Sequence, residues 1–167
     1  MTVLAAIAVP QALVMSQRSR THAAARFLAS RMARSHTEAV VRSATVALQF
    51  AQGQRGVTLG EFIDGNRNGV RTREIGSGTD SRLGAAVDVF DLFPGVTLSF
   101  TDDSGTSPIQ AGSTTLISFT PYGTATSASV YLRGADGSQY AVRVLGATAR
   151  TRVLRYDPRT REWIEVL

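Results

Sequence analysis

Residues 21–50 read THAAARFLASRMARSHTEAVVRSATVALQF, and the period of their apolar positions changes once, at Ser43. Before it, Ala25, Leu28, Met32 and Ala39 recur at spacings of three, four and seven, while Arg26, Arg31, Arg34 and Glu38 fall mostly on other faces. That is the stripe of an amphipathic helix. The run of Ala around it favours helix by propensity. After Ser43, Val46, Leu48 and Phe50 alternate with Thr45, Ala47 and Gln49. Period two is the pattern of a half-buried strand. A long helix followed by a β domain is the fold this junction predicts.

Towards the N-terminus the helix becomes wholly apolar. Residues 1–15, MTVLAAIAVPQALVM, carry no charge. Fifteen helical residues span about 22 Å, short of the ~20 residues that a bilayer requires. The charged start of a secretory signal is missing. Val3, Leu4, Ile7, Val9, Leu13 and Val14 lie all round the helix, which suits lipid or a large protein interior rather than the surface of a small domain. The segment reads as the second half of a membrane helix whose first half would precede Met1. Pro10 lies inside it, and a proline is better tolerated in such helices than in water-exposed ones.

Towards the C-terminus the chain reads as short strands over residues 57–63, 96–100, 114–120, 129–133, 140–145 and 151–156. Trp163, Ile164 and Val166 form a last edge strand. Asp136-Gly137 is a hairpin signal, because both residue types accept positive φ. Residues 64–83 read as a polar, Gly-rich and mobile loop.

Composition narrows the function classes. The chain has 167 residues, one domain's worth, and its hydrophobic content of 43% permits a real core. No Cys is present, which removes disulfide frameworks, thiolate metal sites and Cys nucleophiles. All 18 basic residues are Arg, and the formal charge is +5. Asp64, Asn66, Asn68 and Gly69 match the first half of a calcium loop. Its twelfth position is Ile75, however, and Arg67, Arg71 and Arg73 crowd it, so a polar Asx-rich turn is the better reading. His22 and His36, fourteen residues apart on the helix, make no metal site. No nucleophile elbow, phosphate loop or zinc-protease motif occurs. The chain therefore reads as no enzyme, with no metal, cofactor or small-molecule substrate. In the strand beginning near Arg150, Arg150 and Arg152 share a face. With Arg155 and Tyr156 nearby they could track a nucleic-acid backbone; a charge-protected edge strand is the plainer reading.

The order of these features resembles the GspH/FimT family of minor pseudopilins and type IV pilins. Val3 to Pro10 is similar to the end of that family's apolar helix. The residues from Ala24 to Ser35, then Glu38-Ala39 and Arg42, resemble its LAxxLxxARSEAxxR stretch. Phe62, Asp64, Asn66, Asn68 and Gly69 resemble its F-x-D-x-N-x-D/N-G turn. Residues from Phe119 to Gly123 and on to Arg152 match its closing region loosely. The family's prepilin processing motif would precede Met1. Ala147-Thr148-Ala149 stands where the family has a compact G-R-x-R, although Arg150-Thr151-Arg152 keeps an R-x-R.

The resulting expectation is an α+β, pilin-like fold, with a long N-terminal helix packed on an antiparallel β-sheet domain. Residues 1–43 form the helix, apolar over 1–15 and amphipathic over 16–43, and residues 44–167 the β domain. The resemblance implies a structural subunit of a type II secretion pseudopilus or type IV pilus. Val3, Leu4, Ile7, Val9, Pro10, Leu13 and Val14 would form its membrane and assembly surface; Ala25, Leu28, Met32 and Ala39 would pack on the domain. Implied partners are other pilin or pseudopilin subunits, the inner-membrane assembly machinery, and the membrane through the N-terminal helix. The implied location is the bacterial inner membrane, single-pass, with the β domain in the periplasm and a methylated mature N-terminus. Two rivals stand beside it: a DNA-binding minor pilin using Arg150, Arg152, Arg155 and Tyr156, and a secreted β-rich enzyme or binding domain.

Overall fold

A computed structural model of the chain describes residues 3–53, 56–99, 107–112 and 114–167, with side-chain surroundings from residue 17 onward. Helix α1 runs from Val3 to Arg42 without a break, through Pro10. The side chains of Val3, Leu4, Ile7, Val9, Pro10, Leu13 and Val14 lie outside the described residues. Among the described residues no helix is long and apolar enough to cross a membrane; the apolar run expected to be the second half of a membrane helix is itself shorter than a span.

Two antiparallel sheets follow. In sheet A, β1 (Val46–Gln52) pairs with β2 (Val57–Ile63) on one side and β7 (Leu116–Phe119) on the other. The short strands β3 (Ser81–Arg82) and β4 (Val87–Asp88) add to β2. Sheet B runs in the order β11 (Glu162–Glu165), β10 (Arg150–Asp157), β9 (Gln139–Leu145), β8 (Ala128–Gly134), β5 (Val96–Leu98). The short β6 (Ile109–Gln110) also pairs with β8. Helix α2 (Thr72–Ser77) lies in the segment expected to be a loop, and α3 (Val89–Leu92) precedes β5.

Helix α1 packs on strands of both sheets. Thr21, Ala25, Leu28, Met32, Ser35 and Ala39 are fully buried, at alternating spacings of four and three. This is a straight seam along one side of the helix. Four of the six are Ala, Ser or Thr, so the helix backbone sits close to the strands. Leu28 and Met32 meet Val46, Leu48, Phe50 and Leu59 of sheet A and Val130, Leu132, Val142 and Val153 of sheet B in one apolar cluster. Burying each such aliphatic side chain contributes roughly 1.5–3 kcal/mol.

Strand positions agree with the sequence pattern more closely than strand ends do. The strand expected over 114–120 covers only Leu116–Phe119. The last strand is Glu162–Glu165 and stops short of Val166. The β8–β9 hairpin also differs from expectation. Only Gly137 in the Asp136-Gly137 pair has positive φ, at 79°. The Gly137 amide donates to Gly134 O at 2.9 Å, and Asp136 accepts from the Ser138 amide. This is a turn closed by a left-handed Gly, the three-residue alternative to the two-residue hairpin.

Candidate functional site

The helix seam is polar at its middle. On β2, Leu59, Glu61 and Ile63 share the face turned towards α1, because side chains alternate along a strand. Glu61 lies opposite Leu48 in the register and is only 3% exposed. Its Oε1 accepts from the Ser35 hydroxyl at 2.5 Å, and its Oε2 from Arg31 Nη2 at 3.1 Å. Arg31 and Ser35 are four apart, one helical turn, so both reach one carboxylate. A buried charge persists only when paired and hydrogen-bonded in this way. Glu61 therefore joins helix to sheet at one fixed register.

The calcium-like segment is a closed polar turn. Asp64 Oδ1 accepts the amides of Asn66 at 3.0 Å and Arg67 at 2.7 Å, and its Oδ2 that of Gly69 at 2.6 Å. Asp80 accepts the amides of Gly65 at 3.2 Å and Arg71 at 2.9 Å. Glu74 receives the side-chain amides of Asn68 at 2.9 Å and Asn66 at 3.4 Å. The acceptors a cation would need are thus turned onto the loop's own N–H groups. Among the described residues no three His, Cys, Asp or Glu side chains converge on a metal-sized site. The two histidines pack instead against aromatic rings, His22 on Tyr140 at 5.5 Å and His36 on Phe119 at 6.3 Å between centroids.

The arginine strand divides between two faces. Arg152 pairs with Arg143 and Val153 with Val142. Val142 and Val153 are in the core, which puts Arg150, Arg152, Leu154 and Tyr156 on the outer face. Arg155 pairs with Tyr140, another core residue, and so points the opposite way, towards Arg18 at the edge of α1. The Tyr156 ring packs against Trp163 at 5.3 Å. Glu165 bridges Arg152 at 3.1 Å and Arg150 at 4.0 Å. The four residues expected to act together on DNA therefore do not make one surface. Ala25, Leu28, Met32 and Ala39 do lie together, all fully buried in the seam.

The family model of the type II transport protein GspH matches the sequence over residues 24–149, the stretch that carries most of the helix seam and the polar turn after β2. This chain belongs to the GspH family. No curated protein and no solved structure matches it. The GspH match begins within the α1 seam and ends in the turn before β10. It spans Arg31, Ser35, Glu61 and the polar turn, and excludes Arg150, Arg152, Arg155 and Tyr156. GspH is a structural pseudopilin of type II secretion rather than an enzyme.

Three features of the site come from the tertiary structure rather than from the sequence pattern. Glu61 falls in phase with the buried face of an apolar strand, and that phase in Val-Thr-Leu-Gly-Glu-Phe-Ile is the one sequence signal for it. Arg31 and Ser35 are legible only once Glu61 is known to face them. Arg143 and Glu165 become neighbours of Arg150 and Arg152 through strand pairing, which spacing along the chain does not encode.

Proposed function

We propose that this chain is a minor structural subunit of the type II secretion pseudopilus, built into the filament through α1. The observation that carries this is the division of α1. From Gln17 to Arg42 the helix has a seated face, and Thr21 to Ala39 are locked into the domain core. Before that comes an unbroken helical backbone from Val3 whose sequence is apolar on every side. Such a segment is stable among the apolar helices of neighbouring subunits, or in lipid before assembly. Val3, Leu4, Ile7, Val9, Leu13 and Val14 supply the contact, and Pro10 lets the helix open locally when it exchanges one surrounding for the other. The β domain then faces the periplasm from an inner-membrane anchor. The filament of a type IV pilus is built by the same helix packing, and the family membership favours secretion.

The absence of Cys makes the test clean. Ile7→Cys and Leu13→Cys variants, expressed with the secretion machinery, are oxidised in the cell envelope together with Cys-bearing partner pseudopilins. Disulfide-linked pairs that require an assembled machine are expected. Recovery of both variants as unlinked protein, with the machine assembled, removes the proposal.

A further inference from the structure

A groove of about 510 Å³ opens on the outer face of sheet B, where β8 begins beside β9 and β10. Ser127, Ser129, Arg143, Leu145, Arg150 and Arg152 line it. Arg143 and Arg152 stand directly opposite one another in the antiparallel register, on the same face. Like charges in that position repel and destabilise a sheet. Arg150 adds a third guanidinium two residues along the strand. Within the described residues Glu165 is the only carboxylate bridging this group, at Arg152 and Arg150. Arg143 has no ion pair or side-chain hydrogen bond among the described residues. Among the described residues the groove thus holds three cations against one anion, in an exposed position, with Arg143 left without an acidic partner.

The geometry points to a docking groove for an acidic segment of another protein. Carboxylates of that segment take Arg143, and displace or share with Glu165 at Arg150 and Arg152. The charge is complementary to such a segment, and the guanidinium fork suits a carboxylate. Glu165 already demonstrates the fit, as a carboxylate of the chain itself in the place the partner's would take. The rest of the lining suits a peptide. Leu145, 52% exposed, offers an apolar contact. The Ser127 and Ser129 hydroxyls offer hydrogen-bonding groups for a backbone. A nucleic acid would want a ring on which to stack a base. The aromatic residues of this face, Tyr131, Tyr156 and Trp163, pack on one another instead, outside the groove.

The test uses the full chain in uncharged detergent micelles at low salt. The probe is a fluorescein-labelled peptide alternating Glu and Val, read by anisotropy, with the Arg Nε–Hε resonances followed by NMR. Binding is expected to move the Arg143, Arg150 and Arg152 signals. Arg143→Gln is expected to weaken it at least about tenfold while leaving the fold as stable or more so, since a repulsion is removed. Glu165→Gln is expected to tighten it about threefold by removing the internal competitor. The same peptide with Gln for Glu should not bind. The proposal is overturned if the acidic peptide fails to bind or if Arg143→Gln leaves its affinity unchanged. It is overturned equally if sulfate at matched ionic strength competes as well as the peptide, or if a short single-stranded oligodeoxynucleotide binds these arginines more tightly.

Discussion

Glu61 shows how a single residue can be read from its neighbours. It sits 3% exposed between helix and sheet, where an unpaired carboxylate could not remain. Removing it strands the guanidinium of Arg31, whose side chain is 17% exposed. Glu61→Ala is expected to cost about 3–5 kcal/mol, measured by urea unfolding. Pairing Glu61→Leu with Arg31→Met should recover most of that loss. A loss below about 1 kcal/mol for Glu61→Ala would mean that the ion pair does not hold the seam. Glu38 is a milder case at the helix surface. Arg42 Nε donates to it at 2.6 Å, and the charges of Arg42 and Arg34 add to that bond. Together they hold the Glu38 carboxyl below its ordinary range. A depressed folded-state pKa stabilises the fold above the unfolded carboxylate value, and that contribution fades as pH falls through the folded value. Arg42→Gln should raise the Glu38 midpoint in an NMR titration; an unmoved midpoint would show that the pair is open in solution.

At the scale of elements, the contact that matters most is where α1 crosses the β8–β9 hairpin. Gly134 ends β8 under the helix, and a Cβ built there would lie 2.2 Å from Thr21 Oγ1 and 2.5 Å from Asp136 Oδ1. Thr21 is fully buried, so the helix must lift or the hairpin must shift to make room. Gly134→Ala is therefore expected to destabilise by about 1–3 kcal/mol, with part recovered by adding Thr21→Ala. Equal stability of Gly134→Ala and the parent in thermal melts would place the helix farther from the hairpin than described. The turn after β2 shows the same economy at another element boundary. Three buried carboxylates there, Asp64, Glu74 and Asp80, are used to close a loop and start α2 rather than to hold an ion.

The molecule as a whole has its main core shared by three parts. One apolar cluster contains residues of α1, of sheet A and of sheet B, so neither sheet keeps its apolar face covered if the helix leaves. Unfolding is expected to be a single transition. The only Trp, Trp163, lies on the edge strand of sheet B, far in sequence from the helix that dominates far-UV circular dichroism. Fluorescence and circular dichroism should therefore share one urea midpoint. Separate midpoints would mean that sheet B opens without α1. In the filament role proposed above, this sharing would pass load from the N-terminal helix to both sheets through the seam rather than to one hairpin.

The sequence alone determined the fold class, because both signals involved are local. The change of period at Ser43 and the Ala-rich spacing from Ala25 to Ala39 are written in consecutive residues, and so is the Asx turn at Asp64. The apolar run up to Met15 is legible for the same reason, and its length alone makes it half of a membrane span rather than a whole one. The tertiary structure decided what depends on which strands meet. Arg155 lies near Arg150 and Arg152 along the chain, but its pairing with Tyr140 puts it on the other face. Glu61 lies 30 residues from Arg31 and 26 from Ser35 along the chain, yet it accepts hydrogen bonds from both. Arg143 and Glu165 joined the arginine face only through the register of β9, β10 and β11. Periodicity fixes the face of a side chain relative to its own element, but only packing fixes what that face meets.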